Sequence, residues 1–424
     1  MLAHHYRALT LTAQTMMEAA QESEEKAFAK RLRVTERERN WIDSQYYNII
    51  GAWTESAAAL EKNTVLFPDE AVFERQLAFA LTRLGRYDAA IPHNRRAVEL
   101  DPFSDNNSSE LLMNLAEANR VDECFAEAKR LQEAGRTPNL IHYDLALAYM
   151  QAGDYARSLA ESRSFGKDTA ERESWARKLG IGPLIMSGRF SEAIEWLEGD
   201  LALDSARRAA DKEQARTYIR RNALGQLQRL KDASALAAEQ ADFLVHLNPV
   251  GANLVHLREG FALAFDLSEI ALAEEGLSRL QQIETKWPSE HSKSAVWLAQ
   301  ALLKDLQGEA GADGLFAKAK GAWPDPLNLF YISRWEGKTN LLQAQLASLE
   351  ELERMRGNVY KHHFAGLAVL GWFEQAKCLQ SLSRFDESLR MYKRVVEHWA
   401  NPQAACSFMR QARKDMDRLK RRLS

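Results

Sequence analysis

Residues 84–102 read LGRYDAAIPHNRRAVELDP, and the glycine of this stretch marks a position that recurs along the chain. Steps of 34 or 35 residues connect Gly51, Gly85, Asn119, Gly153 and Gly188. An apolar or aromatic residue follows each of them two positions later, as Tyr87 does here. A motif with a fixed period of this length is a structural unit that buries its apolar face only against its neighbours. The period therefore predicts a repeat protein.

The residues between these positions predict two helices in each unit. Apolar residues recur at spacings of three and four, and most glycines and prolines lie between such segments. Glycine or asparagine at the repeated position tolerates the left-handed backbone of a tight turn. Pro68 and Pro102 are also 34 residues apart, and each ends a unit. Small residues let the second helix pack closely on the first, at Ser56, Ala90, Cys124, Ser158 and Ala193.

This pattern resembles the tetratricopeptide repeat, and the resemblance implies an all-α fold. Proteins of that family stack 34-residue antiparallel helix pairs into a right-handed superhelical solenoid. A further good unit lies near the end of the chain, where Ser383 replaces the turn glycine. Between the good regions the phase slips, with breaks at 248–251, 287–290, 308–311 and 323–326. We expect one continuous solenoid with an N-terminal helix in 1–36, well-matched units in 37–200, degenerate helical repeats in 201–368, a unit in 369–401 and a capping helix in 402–424.

Two segments carry a narrower resemblance. They read VTERERNWIDSQYYNIIG at 34–51 and YKHHFAGLAVLGWFEQAKCLQSLSRFDESLRMYKRVVEHW at 360–399. Both are similar to the long C-terminal repeat region of certain bacterial serine/threonine protein kinases and winged-helix transcription regulators. The resemblance implies a sensor or docking role in signalling. In those proteins a kinase or DNA-binding domain precedes the repeats, and whether one is fused upstream of this chain stays open.

The tetratricopeptide resemblance also implies where a partner would bind. In that family the first helices of successive pairs line a concave groove that holds a protein or peptide. Aromatic, methionine and arginine side chains at the groove positions suit such recognition, although packing between repeats is the alternative. Arg75 and Phe79 replace the lysine and asparagine with which one subset grips acidic C-terminal peptides, so that clamp is not supported. The implied groove residues are Glu38, Trp41, Gln45, Asn48, Arg75, Phe79, Arg83, Asn106, Met113, Tyr143 and Met150.

Composition limits the remaining classes of function. The 424-residue chain has a net charge of -3 and a pI of about 6.4, so no broad electrostatic footprint for nucleic acid is expected. The longest apolar run, FAGLAVLGWF at 364–373, is shorter than the roughly 20 residues of a membrane span, and no membrane association is expected. Three widely spaced cysteines form neither a disulfide framework nor a metal knuckle. A reducing cytoplasm fits this usage.

The candidate motifs for catalysis or cofactor binding lack the residues or the context that those functions require. EGKTN at 336–340 has isoleucine where a phosphate loop needs its first glycine, and no strand pattern precedes it. GIGPLIMSG at 180–188 likewise follows no strand, and its last glycine already belongs to the repeat. The adjacent histidine pairs at 4–5 and 362–363 point in different directions on a helix and do not converge on a metal. We therefore expect no enzyme, no metal and no cofactor.

Three alternatives stay open. Trp287, Trp323, Tyr331 and Trp335 cluster in the irregular middle, where a small-molecule receptor or enzyme could have a pocket, although core packing is the other interpretation. The terminal segment could mediate self-association. Its basic residues could touch phosphate or acidic lipid, but they also complement the dipole at a helix C-terminus, which favours a capping role.

Overall fold

The computed structural model describes residues 1–13, 16–136, 140–165, 170–207, 214–323, 325–355 and 365–423, and in these ranges the regular structure is helical, without a strand. The α-helices are α1 Leu2–Ala13, α2 Met17–Phe28, α3 Glu36–Ile49, α4 Trp53–Leu66, α5 Ala71–Arg83, α6 Tyr87–Leu100, α7 Asp105–Glu117, α8 Val121–Glu133, α9 Ile141–Ala152, α10 Tyr155–Phe165, α11 Ala170–Met186, α12 Phe190–Arg207, α13 Gln214–Leu230, α14 Ser234–Val245, α15 Leu254–Asp266, α16 Ile270–Lys286, α17 Glu290–Gln307, α18 Ala312–Ala322, α19 Pro326–Lys338, α20 Leu342–Arg354, α21 Ala365–Ser381, α22 Phe385–His398 and α23 Ser407–Leu423. None of these helices combines the length and apolarity that a bilayer crossing demands.

Ten helix pairs in the described ranges, from α3–α4 to α21–α22, turn in the same way. Each turn contains a left-handed residue that is followed by an N–H donating to the carbonyl five positions before it. The turn between α17 and α18 contains a second left-handed residue, Gly311. In the opening stretch Gly85 has φ of 71°, and Arg86 N lies 2.9 Å from Leu81 O. This arrangement satisfies carbonyls at the end of the first helix. The left-handed residues are Gly51, Gly85, Asn119, Gly153, Gly188, Asp232, Ser268, Gly308, Asn340 and Ser383. The predicted all-α solenoid of helix pairs is confirmed.

The middle of the chain keeps this turn with other residue types. Asp232, Ser268 and Asn340 take the left-handed conformation there, and of these only Asn340 is of the glycine or asparagine type that the sequence led us to expect at the turn. Three of the sequence breaks, at 248–251, 287–290 and 323–326, connect one pair to the next. The break at 308–311 lies at the turn inside a pair, between α17 and α18. The repeat phase therefore slips because helix lengths vary, while the turn itself is retained.

The small residues of the second helices also explain the close packing within pairs. Ser158 Oγ donates to Ala146 O at 2.7 Å, and Ser388 Oγ donates to Ala376 O at the same distance. Cys124 Sγ approaches Leu112 O at 3.3 Å, again 12 residues earlier. All three side chains are buried. The contact therefore needs a small residue, and where that residue is serine or cysteine at 124, 158 and 388 it also pairs with a carbonyl of the facing helix.

Replacing Ser383 with glycine should stabilise the last pair. Ser383 is exposed and has φ of 61°, a conformation that disfavours side chains by about 1–2 kcal/mol. Glycine loses more entropy on folding, so the net gain in the free energy of unfolding should be about 0.5–1 kcal/mol. Urea unfolding would measure it. Asp232→Gly is the matched control, because its gain in stability is offset by the lost hydrogen bonds to Ser407. If Ser383→Gly is no more stable than the native chain, the backbone at Ser383 is not strained.

Residues 1–36 form two helices rather than the single N-terminal helix expected from the sequence, because α1 and α2 pack against each other. His5 Nδ1 and Glu24 Oε1 lie 2.8 Å apart, and both side chains are buried. The hairpin then contacts a distant part of the chain: Glu18 accepts hydrogen bonds from Asn248 and Asn253, each at 2.8 Å. Amphipathic spacing alone does not show the break between α1 and α2. Its cause is the long-range packing of the hairpin.

The other end of the chain makes comparable long-range contacts. Trp399 Nε1 donates to Ile185 O at 2.8 Å, which joins the segment after α22 to α11. Asp232 accepts two hydrogen bonds from Ser407 at the start of α23, from its N–H at 3.1 Å and from its hydroxyl at 2.6 Å. One hydrophobic core extends from Ile50 to Leu419 as a result. Helix pairs far apart in sequence are therefore packed together.

His291 lies where the α3–α4 turn meets the start of α17. Its side chain is buried and stacks on Trp323 with ring centroids 5.2 Å apart. Neither ring nitrogen has a hydrogen-bond partner among the residues that the structure describes. A Cβ placed on Gly51 would lie 3.3 Å from its Nδ1. Burial, and secondarily the nearby Arg258 guanidinium, lower the pKa of His291 well below its usual value. The imidazole is therefore neutral in the folded protein.

Acidification should destabilise the fold through His291. Its pKa is lower in the folded state than in the unfolded state. Above the ordinary pKa of 6.5 the imidazole is neutral in both states, and below it protonation of the unfolded chain lowers the free energy of unfolding. Between pH 7 and pH 5 this loss should be about 2 kcal/mol. Urea unfolding at both pH values should show a smaller pH dependence in His291→Phe, which keeps the stacking. His246→Gln, at an exposed histidine, should behave as the native protein does; equal pH dependence in all three would exclude this role.

Candidate partner-binding groove

Side-chain hydrogen bonds link the first helices of the first four complete pairs. Gln45 on α3 donates to Gln76 on α5 at 3.3 Å, and Thr82 on α5 donates to Asn114 on α7 at 2.8 Å. Ser109 on α7 donates to Asp144 on α9 at 3.0 Å. Bonds of this kind fix neighbouring repeats relative to each other. Helices α3, α5, α7 and α9 are therefore neighbours in this order. They are the first helices to which the resemblance assigns a groove, and we use the term groove for the side of them that would face a partner.

Most of the expected groove residues on α3 are committed to packing within the chain. Trp41 contacts His5 and Tyr6 of α1 edge-on, with ring centroids 5.2 and 6.3 Å away, so the N-terminal hairpin covers it. Glu38 closes a capping box with Thr35, whose N–H and hydroxyl both donate to its carboxylate. Both side chains are therefore engaged in contacts within the chain.

The amides of α3 are occupied as well. Gln45 is buried in the bond to Gln76, and Asn48 Oδ1 accepts a 2.6 Å hydrogen bond from Ser56 in the second helix of the same pair. Both side chains stabilise contacts between helices. A partner approaching α3 therefore meets few side chains with free hydrogen-bonding capacity.

Helix α5 offers the side chains best placed for a partner. Arg75, Phe79 and Arg83 follow one another at four-residue spacing, so they lie along one side of the helix. Arg83 is exposed, and its guanidinium carbon lies 4.9 Å from the Phe79 ring centroid and 5.7 Å from that of Trp53. Trp53 in turn contacts Phe79 edge-on at 6.1 Å. In the described part of the chain neither Arg75 nor Arg83 forms an ion pair.

The expected residues on α7 and α9 have mixed environments. Asn106 is exposed, Met113 is half-buried against its own hydrophobic cluster, and Met150 is buried in the main core. The Tyr143 ring contacts Phe165 edge-on at 5.9 Å. Burial, followed by the carboxylates of Glu117 and Asp144, raises the pKa of Tyr143. Its hydroxyl is therefore protonated at neutral pH.

Sequence reasoning missed the role of Trp53. The sequence pattern identified it only as the aromatic residue two positions after a repeated glycine. It lies against Phe79 and Arg83 of the next pair, 26 residues from Phe79 in sequence. The periodicity indicates equivalent positions within units. It does not reveal which side chains meet between units.

The four aromatic residues of the middle region do not form a common cage. Trp323 stacks on His291, and Trp335 stacks on Phe316 with ring centroids 4.7 Å apart. Tyr331 is buried and donates a 2.9 Å hydrogen bond to Asp266. Trp287 is buried too, and its Nε1 donates to Glu25 of α2 at 2.8 Å. Each ring packs against different partners, so the cluster in sequence is not a cluster in space.

The glycine-rich motifs lie in ordinary repeat elements. Residues 336–338 of EGKTN end α19, and Asn340 is the left-handed residue of the following turn. Most of GIGPLIMSG belongs to α11, and Gly188 forms the next turn. His362 and His363 lie outside the described residues. Among the residues that the structure describes, no three histidine, cysteine or carboxylate side chains gather as metal ligands would.

Comparisons with known proteins concern the fold alone. No protein-family model matches the chain, and no curated protein matches it. The crystal structure of yeast Tom70 is similar over 100% of this chain and 96% of that chain, with 12% sequence identity and a TM-score of 0.37. A monomeric mutant of IFIT1 with Gppp-AAAA is similar over 92% of this chain and 89% of that chain, with 14% identity and a TM-score of 0.41. With its repeated left-handed turns and stacked helix pairs, the chain has a tetratricopeptide-like helical-repeat fold.

Proposed function

We propose that the chain is a non-catalytic scaffold that binds a protein or peptide in the groove of α3, α5, α7 and α9. The observation that carries the proposal is the cluster of Trp53, Phe79 and Arg83, flanked by Arg75. Tryptophan, tyrosine and arginine dominate the energetics of protein interfaces. The exposed Arg83 guanidinium lies over two aromatic rings, which hold it in place although no carboxylate of the described residues pairs with it.

We further propose that the scaffold is the sensor or docking region of a bacterial signalling protein. Support comes from the resemblance of residues 34–51 and 360–399 to the repeat regions of bacterial kinases and transcription regulators. A cytoplasmic location belongs to the same proposal. It is supported by Cys124, Cys378 and Cys406, all of which are buried and unpaired by disulfides, as is usual for proteins of a reducing compartment.

Site-specific photo-crosslinking in the native host tests the groove. Benzoylphenylalanine at position 83 should give a discrete adduct with a partner protein, and that adduct should be lost when Phe79→Ala is added. The same group at Phe103, which is 83% exposed and lies outside the first helices, is the control and should give none. Since Phe79 is half-buried, Arg75→Gln provides a milder second variant that should weaken the adduct. Equal adducts from positions 83 and 103, or adducts unaffected by both variants, would overturn the assignment.

A small-molecule receptor is the second candidate, and one cleft favours it. The cleft has a volume of about 490 Å³ and lies between α2 and the segments around Val250 and Trp287. Glu18, Glu22 and Glu25 line it together with Lys286 and apolar side chains. Glu18 and Glu25 are held by neutral hydrogen-bond donors. This lining suits an organic cation.

Thermal unfolding with spermidine tests the second candidate. Binding to the folded chain should raise the melting temperature as the spermidine concentration increases. Glu25→Gln keeps an acceptor for Trp287 but removes the charge, and it should abolish the shift. Glu239→Gln, at an exposed glutamate elsewhere, is the control and should retain it. A shift that is absent, or that is identical in all variants, removes the cleft as a receptor site.

A further inference from the structure

Positive charge is concentrated on the last helix, although the chain as a whole is slightly acidic. Helix α23 contains seven arginine and lysine residues and two aspartates, a net charge of +5. The whole chain has a net charge of -3, so the remainder carries -8. The net charge of the whole chain does not reveal this uneven distribution. A local basic surface of this kind attracts anionic partners.

The helix is held firmly on the solenoid. Its apolar side buries Met409, Ala412 and Leu419, and Phe408 packs against Phe373 with ring centroids 4.7 Å apart. Asp232 accepts hydrogen bonds from Ser407 at the first turn. Because most of the apolar side is covered, the side of α23 that faces solvent is mainly basic. The charges are therefore displayed on a fixed support.

Four of the basic residues form a regular row. Arg410, Lys414, Arg418 and Arg421 are exposed and follow one another at spacings of four, four and three residues, so they lie on one side of the helix. The row is about 16 Å long at 1.5 Å per residue. The carboxylate contacts of Arg410 and Arg418 are long and exposed: Arg410 to Asp232 at 3.5 Å and Arg418 to Asp415 at 3.8 Å. Arg421 Nε donates to the carbonyl of Asp417 at 3.3 Å. Surface pairs of this kind contribute little and yield to a stronger anion.

We propose that this row binds the phosphate backbone of single-stranded nucleic acid. Neighbouring cations of the row are about 5–6 Å apart on the helix surface, so each can contact a separate phosphate of an extended single strand. One side of α23 is docked, so the helix cannot enter a major groove as a free recognition helix does. Its single aromatic residue, Phe408, is engaged in packing. Recognition through phosphates alone is independent of base sequence and sensitive to salt.

An acidic membrane fits these observations less well. Amphipathic helices that bind a bilayer bury their apolar side in it, whereas Met409, Ala412 and Leu419 of α23 are already buried in the protein. The row of cations also suits a linear polymer of evenly spaced charges. The expectation that the chain has no nucleic-acid partner came from its overall charge, and the segregated charge of α23 is the reason to revise it.

Fluorescence anisotropy with a labelled 20-nucleotide oligo(dT) tests the proposal on the full chain. The variant Arg410→Gln/Lys414→Gln/Arg418→Gln/Arg421→Gln should bind at least tenfold more weakly than the native chain at 25 mM KCl. The slope of log K against log salt should also fall by about 3, because each phosphate contact on a single strand contributes about 0.7. A control variant removes four exposed lysines elsewhere, at Lys62, Lys129, Lys293 and Lys318. It changes the net charge equally and should bind as the native chain does.

The outcomes are decisive because the substituted side chains are exposed. Matching thermal unfolding curves for the two variants and the native chain show that the fold is intact. Undetectable binding of oligo(dT) by the native chain, or equal loss in both variants, would overturn the proposal. It would also be overturned if vesicles with 30% phosphatidylserine, and not oligo(dT), bind in a manner that depends on the α23 row.

Discussion

Replacing Asp325 with alanine is expected to lower the free energy of unfolding by about 3–5 kcal/mol, because it leaves a buried arginine without its partner. The Arg258 and Asp325 side chains form an ion pair in which they are only 5% and 12% exposed. Asp325 also caps α19, where its carboxylate accepts from Asn328 N at 2.9 Å. Loss of such a cap typically contributes about 1 kcal/mol of this effect. Urea unfolding would show a lower midpoint with an unchanged slope.

Two further variants separate these contributions. Asp305→Ala breaks an ion pair with Lys338, which is 61% exposed, and should change stability by less than about 1 kcal/mol. In the double variant Arg258→Met/Asp325→Ala no charge is left unpaired, so part of the loss should be recovered. A loss below about 1 kcal/mol for Asp325→Ala would mean that water reaches Arg258. In that case the contact between α15 and the start of α19 is weaker than the structure indicates.

This ion pair illustrates which parts of the middle region could be predicted. The sequence WPDP marked a break, and Asp325 followed by Pro326 is a recognisable start of a helix. Its partner Arg258 lies 67 residues earlier, in a helix whose charge pattern has nothing unusual. Local signals therefore located the boundary of α19. The packing of α15 against it depends on the curvature of the whole array, which no local pattern specifies.

The turns, too, include positions that the sequence could predict and positions that it could not. Glycine at 51, 85, 153 and 188 was correctly expected to adopt the left-handed backbone, since it does so without steric strain. Asp232, Ser268 and Asn340 adopt it too, but these residues occur in many other contexts and do not single out a turn. Asp232 has a second role as the anchor of α23. The glycine turns were sufficient to predict the fold class. They were not sufficient to predict the register of the middle repeats.

Prediction of the groove was limited by the N-terminal hairpin. The resemblance placed Trp41 and Arg75 on equivalent sides of their helices, and periodicity treats them alike. The structure distinguishes them because α1 lies on Trp41, whereas Arg75 forms no ion pair in the described part of the chain. The contact between α1 and Trp41 joins elements that are distant in sequence, so periodicity does not predict it. Assignment of the groove residues to a partner stays a prediction, and α5 is where it should be tested first.

Replacing Trp399 with alanine is expected to lower the free energy of unfolding by about 3–5 kcal/mol, the range for a large aromatic residue in a core. Trp399 is 1% exposed, and its ring contacts Phe190 and Phe408 edge-on at 4.9 and 5.6 Å. Its Nε1 donates to Ile185 O at 2.8 Å, so α11, α12 and α23 meet at this side chain. Trp399→Phe keeps an aromatic ring but removes the hydrogen bond and part of the buried indole, and should reduce stability by about 1–3 kcal/mol, less than Trp399→Ala does. Phe103→Ala, at an 83% exposed ring, is the control and should remain within about 0.5 kcal/mol of the native chain.

Hydrogen exchange would show where this stability is lost. In repeat proteins each unit interacts mainly with its neighbours, so damage at one contact spreads only as far as the units are coupled. We expect faster amide exchange in α22, α23 and the end of α11 of Trp399→Ala, and native exchange in α5 and α6. The bonds from Ser407 to Asp232 should still hold the start of α23. Uniform acceleration throughout the chain would instead show that the long-range contacts make the array unfold as one unit, and native exchange everywhere would contradict the role of Trp399 as the joint between α11 and α23.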